Sequence, residues 1–257
     1  MTPPDEPNAS GLGADRGPYD ALMEIARNRI TTRAFRADYT VPREHFELIV
    51  DAARHAPSGA NAQPWHFIVV TDPEAKLQIS EYFVAEQARR ARLGMKFPTP
   101  NYHGMATAPG MIVVATDFRW IRAFPVLRED DPESEVNRPY YENAERILLQ
   151  SVAAATMSAH LAAALGYNVW WVTAIGQRDA QAAIKPLLGV PEEISIIDIM
   201  CFGPPAKQVY KRWKKDLSEI MSWERFDRSR HMSDDQLEDW IRNRRHRVMY
   251  RSQENVD

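Results

Sequence analysis

A single cysteine, Cys201, stands in the 257 residues, so an internal disulfide is excluded and a reducing, cytoplasmic setting is expected. It sits in the apolar run Ile196-Ile197-Asp198-Ile199-Met200-Cys201-Phe202 and reads as a buried strand residue, not a nucleophile. Positive charge is not in excess either: the formal net charge of −3 argues against a dedicated nucleic-acid binder. No apolar run is long enough for a bilayer, because Ser151 to Leu165 is broken by Ser151, Thr156, Ser158 and His160. The polar N-terminus shows no secretory signal, so neither a membrane nor export is expected. The seven histidines are scattered with no His-x-x-x-His pair, and no second thiol accompanies Cys201, so no metal site is expected. A Gly-x-Gly-x-x-Gly fingerprint is also missing, which removes a dedicated dinucleotide domain.

What is present is a chain with 44% hydrophobic residues, enough for one good-sized core. Residues 1–18 carry four prolines and almost no bulky apolar groups, and read as a disordered leader. Helical spacing begins at Tyr19 and runs to about Arg29; a second helix follows Pro42, with Phe46, Ile49, Val50 and Ala53 on its apolar face. His66–Thr71 and Met111–Thr116 read as strands, with a helix capped by Asp72-Pro73 between them. Residues 117–139 read as a charged surface excursion. Tyr141–Leu165 is the longest helical pattern, closed by Gly166. Strands Val169–Ala174 and Ile194–Phe202 flank a helix over Asp179–Leu188. The alternation is irregular, which indicates an α+β domain over 19–223 in place of repeated βαβ units. Residues 224–257 form a helical extension in which Ser233 and Gln236 make a capping box and Leu237, Trp240, Ile241 and Val248 one apolar stripe.

Three segments carry candidate chemistry. In Arg29-Ile30-Thr31-Thr32-Arg33-Ala34-Phe35, two guanidiniums and a hydroxyl fall at alternate positions of an extended segment and project the same way. Forked arginine donors suit a phosphate, although the segment is equally a solvated basic turn. Ala56-Pro57-Ser58-Gly59-Ala60-Asn61-Ala62-Gln63-Pro64-Trp65 is first of all a loop, but one that keeps its amides clear for the polar edge of a planar heterocycle. Finally Lys207, Lys211, Arg212, Lys214 and Lys215 precede the first acid, Asp216; they are either a solvated edge or the far wall of an anion site.

Taken in order, these segments resemble the signatures of the nitroreductase-like flavoprotein family over roughly Tyr19 to Trp223. The resemblance rests on Arg29–Phe35, on the long Ala56–Trp65 motif and on the late pair Arg212 and Lys214. It implies a central, mainly antiparallel sheet flanked by helices, in an intertwined homodimer. It also implies FMN as cofactor and NAD(P)H as electron donor, with hydride passed by a ping-pong mechanism to a nitroaromatic, quinone or similar small acceptor. Arg29, Ile30 and Thr31 are then implied at the FMN phosphate, joined by Arg212 and Lys214. Asp216 stands where the family often has proline, which leaves open which of those two touches phosphate.

Arg33 is implied beside the flavin pyrimidine, where a fixed cation favours the reduced ring. Pro57, Ser58 and Gly59 are implied to reach the flavin from the partner subunit, with Asn61 bracing them. Trp171, Val172, Thr173 and Ala174 map to strand contacts, with the Thr173 or Ala174 amide near N5. Asn101 maps near the ring edge, while Gly104 replaces a family lysine. The cover over Tyr82–Met105 offers Tyr82, Phe83, Met95, Phe97, Tyr102 and Met105 as a substrate pocket or as ordinary packing. His103 adds an imidazole there, read as exposed and not catalytic. No side chain is assigned as a catalytic acid, base or nucleophile. Reductive dehalogenation or flavin-dependent dehydrogenation on the same fold are the alternatives. A rival of another class is a binding protein using the cationic Arg242–Arg247 stretch, although Asp234, Asp235, Glu238 and Asp239 early in that helix favour an ordinary dipole-matched surface helix.

Overall fold

The computed structural model describes residues 16–94, 102–124, 135, 137–209 and 213–244. Met95, Phe97, Asn101, Arg212 and Val248 lie outside them, as does the expected leader except for its last residues. Gly17 and Pro18, counted with that leader by composition, open α1 (Gly17–Asn28), because proline in the first turn needs no N–H partner. Helix α2 (Arg43–Arg54) follows Pro42 and buries Phe46, Ile49 and Ala53. Strand β1 (Trp65–Val69) leads to α3 (Pro73–Arg92), whose first amides at Glu74 and Ala75 donate to the Asp72 carboxylate at 3.2 Å. Then come β2 (Gly110–Asp117), α4 (Arg138–Ala163), β3 (Asn168–Val172), α5 (Arg178–Leu187) and β4 (Ile194–Gly203).

The four strands form one antiparallel sheet in the order β1-β2-β4-β3. Two apolar clusters cover its two faces. Met111, Val113, Ile199 and Cys201 turn towards α3 and α5, with Ile79, Phe83 and Ile184 among them. Ile112, Val114, Met200 and Phe202 turn towards α2 and α4, with Phe46, Val152 and Ala159. Burial on both faces explains why β2 and most of β4 read as apolar runs and not as alternating strands. The alanines of α4 at 144, 155, 159 and 163 are all buried and let it lie close to the sheet and α2.

Several expected boundaries move: β1 ends at Val69 and not Thr71, and α4 opens at Arg138, inside the expected surface excursion. Strand β3 stops at Val172, and Thr173–Gly176 turns away as a short 3-10 helix. The reason lies in its neighbour: the β2–β4 register shifts between Val114 and Ala115, leaving Ile197 extra beside Asp198 just beyond the last β3 pair, Val172–Ile199. Gly166 is not a left-handed cap either; α4 unwinds through tightened turns, Leu165 N–H to Ala162 O and Gly166 N–H to Ala163 O. Cys201 is fully buried in β4, as expected, and burial pushes its thiol pKa up, which keeps it an inert thiol.

The compact unit holding the sheet ends at Lys207, and residues 208–257 make a second unit. The latter carries α6 (Leu217–Ile220) and α7 (Asp234–Asn243), both opened by capping boxes, Asp216 with Glu219 and Ser233 with Gln236. Within it Trp213 and Trp240 lie 6.4 Å apart, and Leu237 and Ile241 are exposed. No helix among the described residues is long and apolar enough to cross a membrane.

Candidate active site

After α1 the chain runs on beside β3 as an extra, partly paired strand. Thr31 forms a parallel bridge with Val169, and the Thr32 amide donates to Val169 O at 3.1 Å. Further on, Phe35 bridges Pro205, and the Arg36 amide donates to Pro204 O at 3.0 Å. The segment is therefore pinned at both ends. Thr32 and Phe35 are buried, while Arg29, Thr31 and Arg33 remain half-buried at the sheet edge, and the backbone bends at Arg33 between the two bridges.

The Arg33 guanidinium carbon lies over the Trp170 ring, 5.5 Å from its centroid. Trp170 stacks on Tyr102 at 5.7 Å, and Tyr102 on Phe83 at 5.1 Å. Tyr102 is only 8% exposed, so it belongs to the core and not to an open pocket wall; burial raises its phenol pKa. Tyr82 is half-buried against the edge of Phe83, and His103 is exposed. The backbone of this stretch is tied to α3, with Ser80 Oγ donating to Tyr102 O at 2.9 Å and the buried Lys76 ammonium to Ala108 O at 3.0 Å. Burial also lowers the Lys76 pKa.

The second motif is the loop before β1. Ala60, Asn61 and Gln63 all adopt left-handed backbone, with φ of 51°, 50° and 45°. Three such residues, none of them glycine, within four positions are a concentration of strain of the kind functional loops hold. The loop is fastened to α4: the Gly59 amide donates to Ser151 Oγ at 3.1 Å, and Ser58 Oγ accepts from the Gln63 amide at 3.1 Å. A Cβ on Gly59 would fall 2.1 Å from Ile147 Cγ2, so glycine is what allows this approach. Asn61 Oδ1 accepts from Gln63 Nε2 at 3.2 Å within the loop. Pro57 is exposed, and Ser58 and Gly59 are half-buried.

These two motifs do not meet within one chain. Thr31 lies outside β3 at the end of the sheet where Val169 pairs Phe202 and Phe202 pairs Gly110. The loop enters β1 at the far edge and the other end, where Trp65 pairs Thr116 and the Asp117 amide donates to Pro64 O. At ordinary strand spacing and rise, that diagonal is roughly 19 Å across the strands and roughly 20 Å along them. The expected strand contacts sit between: Trp171 half-buried, Ala174 half-buried and Thr173 exposed in the turn after β3. Lys214 belongs to the second unit and is exposed there.

Two features escaped the sequence reading. One is Trp170 beneath Arg33; a Trp-Trp pair in a strand must send one ring to each face, but which ring meets the arginine depends on register. The other is a fully enclosed pair, His160 of α4 and Asp198 of β4, with Nε2 and Oδ2 3.5 Å apart. Burial raises the Asp198 carboxyl pKa, opposed by the neighbouring imidazole, and Trp171 packs on His160 at 5.1 Å. An aspartate inside an apolar run was the signal available for it.

The model of the Nitroreductase family matches residues 26–204. A protein of Archaeoglobus fulgidus named as an NADH dehydrogenase/NAD(P)H nitroreductase is 32% identical over 187 residues, covering 72% of this chain and 87% of its own length. An iodotyrosine deiodinase of Nematostella vectensis is 27% identical, with 76% and 72% covered. Nitroreductase A of Vibrio parahaemolyticus shares the fold with a TM-score of 0.64 at 14% identity, covering 91% of this chain and 88% of that one. With the sheet, the pinned arginine segment and the strained loop in place, this match over most of the compact unit leads to one conclusion: the chain belongs to the nitroreductase family.

Proposed function

We propose that the protein is an FMN-dependent, NAD(P)H-linked oxidoreductase that works as a homodimer on small, electron-poor ring compounds. The observation that carries the reading is the diagonal separation of the two motifs. Cationic donors stand at one corner of the sheet and a strained, amide-presenting loop at the opposite corner. A second copy of the chain brings its loop to the first copy's arginine segment.

The donor set fits FMN. Arg29 and Thr31 offer a guanidinium and a hydroxyl for a phosphate at a sheet edge fixed by the Val169 bridge. Arg33, two positions on, supplies a held cation for the polar edge of the ring. The turn at Thr173 and Ala174 offers backbone amides beyond the last strand pair. When bound, FMN would supply two-electron transfer from a reduced nicotinamide cofactor to a second acceptor in two half-reactions. The chain's own part is to hold the phosphate, to place a cation where negative charge develops and to orient the acceptor. Arg212 and Lys214 remain proposed phosphate contacts, and Asn101, Phe97, Tyr82 and His103 proposed neighbours of the ring or acceptor.

Exposed apolar surface supports the dimer. Leu149 and Met157 stand on the outer side of α4 at 42% and 39% exposure with Ala153 between them, one stripe at helical spacing. In the second unit Leu217, Ile220, Trp223 and Phe226 are all exposed. Apolar residues in such number call for a covering surface, and a second copy is the occupant proposed.

Reductive dehalogenation of a halogenated phenol is the second reading, favoured by the iodotyrosine deiodinase similarity. One panel separates the two. FMN-loaded protein is given NADH or NADPH with nitroaromatics, quinones and halogenated phenols. Turnover of the first two classes supports the main reading, halide release the second, and no acceptor-dependent oxidation of either nucleotide would overturn both.

A further inference from the structure

We propose that Tyr102 and Gly104 are positioning residues for Arg33, aiming its guanidinium from inside the core. The inference rests on the FMN reading. An arginine side chain has several free rotations, and a cation that swings into solvent does little for charge developing on a neighbouring ring. Preorganisation is what makes such a group effective. Here the guanidinium lies on Trp170, the last of three stacked rings, Phe83, Tyr102 and Trp170, which are 2%, 8% and 2% exposed respectively.

The backbone of Arg33 is held as firmly as its side chain. A Cβ at position 104 would lie 2.0 Å from the Arg33 carbonyl oxygen and 2.8 Å from its carbonyl carbon, so only glycine lets the 102–105 turn seat against it. That turn is fixed in its place by Ser80 Oγ on Tyr102 O and by the buried Lys76 ammonium on Ala108 O. Helix α3, the 102–108 stretch, Trp170 and Arg33 thus form one continuous packed path. Tyr102 enters that path through its ring, stacked between Phe83 and Trp170.

The test is a double-mutant comparison read by FMN titration and by the visible spectrum of the bound flavin. Tyr102→Leu, Tyr102→Phe and Gly104→Ala are each made with Arg33 present and in an Arg33→Ala background. With Arg33 present, Tyr102→Leu and Gly104→Ala are expected to weaken FMN binding about fivefold to tenfold and to shift the flavin spectrum, a range set by one cation–ring contact. In the Arg33→Ala background the same changes should alter binding less than about twofold, and Tyr102→Phe should be silent in both. Equal losses in both backgrounds, or no loss in either, would overturn the inference by showing that the residues only support the fold. Where Tyr102→Leu does not fold, Gly104→Ala carries the comparison. If Arg33→Ala binds FMN like the parent, the role of Arg33 fails while the flavin reading stands. If the parent itself takes up no FMN, the flavin reading fails and this inference with it.

Discussion

Arg33 is held by the backbone seat under Gly104 and the ring under its guanidinium, and the proposed function sets that cation beside the flavin. Arg33→Ala should remove a charge-assisted interaction of about 1.5–3 kcal/mol from flavin retention or reduction. Stopped-flow reduction and FMN titration of that variant matching the parent would refute the role. The donors Arg29, Thr31 and Arg33 were legible in the sequence as one basic segment, whereas the bend at Arg33 that interrupts its extended run was not. Trp170 was not, because the register that places it under Arg33 is set by Val169 pairing with both Thr31 and Phe202. Asp198 shows the same limit. Its place in an apolar run is visible in the sequence, but its partner His160 lies on a helix far earlier in the chain. Asp198→Ala leaves the enclosed imidazole without its neighbouring acid and should cost about 1–3 kcal/mol in urea unfolding, with Asp198→Asn milder. Similar, small effects of the two variants would mean the pair does not interact.

Among the elements, the loop before β1 depends on Gly59. Gly59→Ala forces a methyl into Ile147 and displaces the Ser151 bond, an overpacking change of about 1–3 kcal/mol that also moves the strained residues 60–63. Calorimetric unfolding should show the loss, and an unchanged midpoint would argue that the loop is loose. Helix α3 is clasped differently. Glu86 accepts from Arg89 and Arg90 at 2.6 and 2.8 Å, and Arg90 reaches Gln177 at 2.6 Å, next to the start of α5. Those two guanidiniums hold the Glu86 carboxyl at about 2, against an ordinary 4.5. A lowered carboxyl pKa stabilises the fold above the ordinary value and loses that contribution as pH falls towards 2. The stabilisation is about 1 kcal/mol once the solvent exposure of Arg89 is allowed for. The stability gap between the parent and Glu86→Gln should therefore be present at pH 6 and shrink by pH 3; a gap independent of pH would contradict the clasp. Element types were legible wherever period and capping agreed, as at Asp72-Pro73 and Ser233–Gln236. The end of β3 was not, because a bulge in β4 decides it.

At the scale of the whole molecule, the proposed flavin site needs two chains. The four-stranded sheet holds the arginine segment and the loop at opposite corners, a separation no sequence pattern displays because it follows from strand order. Mixing chains carrying Arg29→Ala with chains carrying Gly59→Ala should accordingly restore one good site per mixed dimer, seen as recovered FMN uptake on mixing and absent if each chain binds alone. The most direct measurement combines the visible absorbance of the purified protein with its mass by light scattering. The expected result is a yellow particle of about twice the 29.4 kDa chain that releases one FMN per chain on denaturation. A colourless, single-chain particle that ignores added FMN in calorimetry would contradict the account.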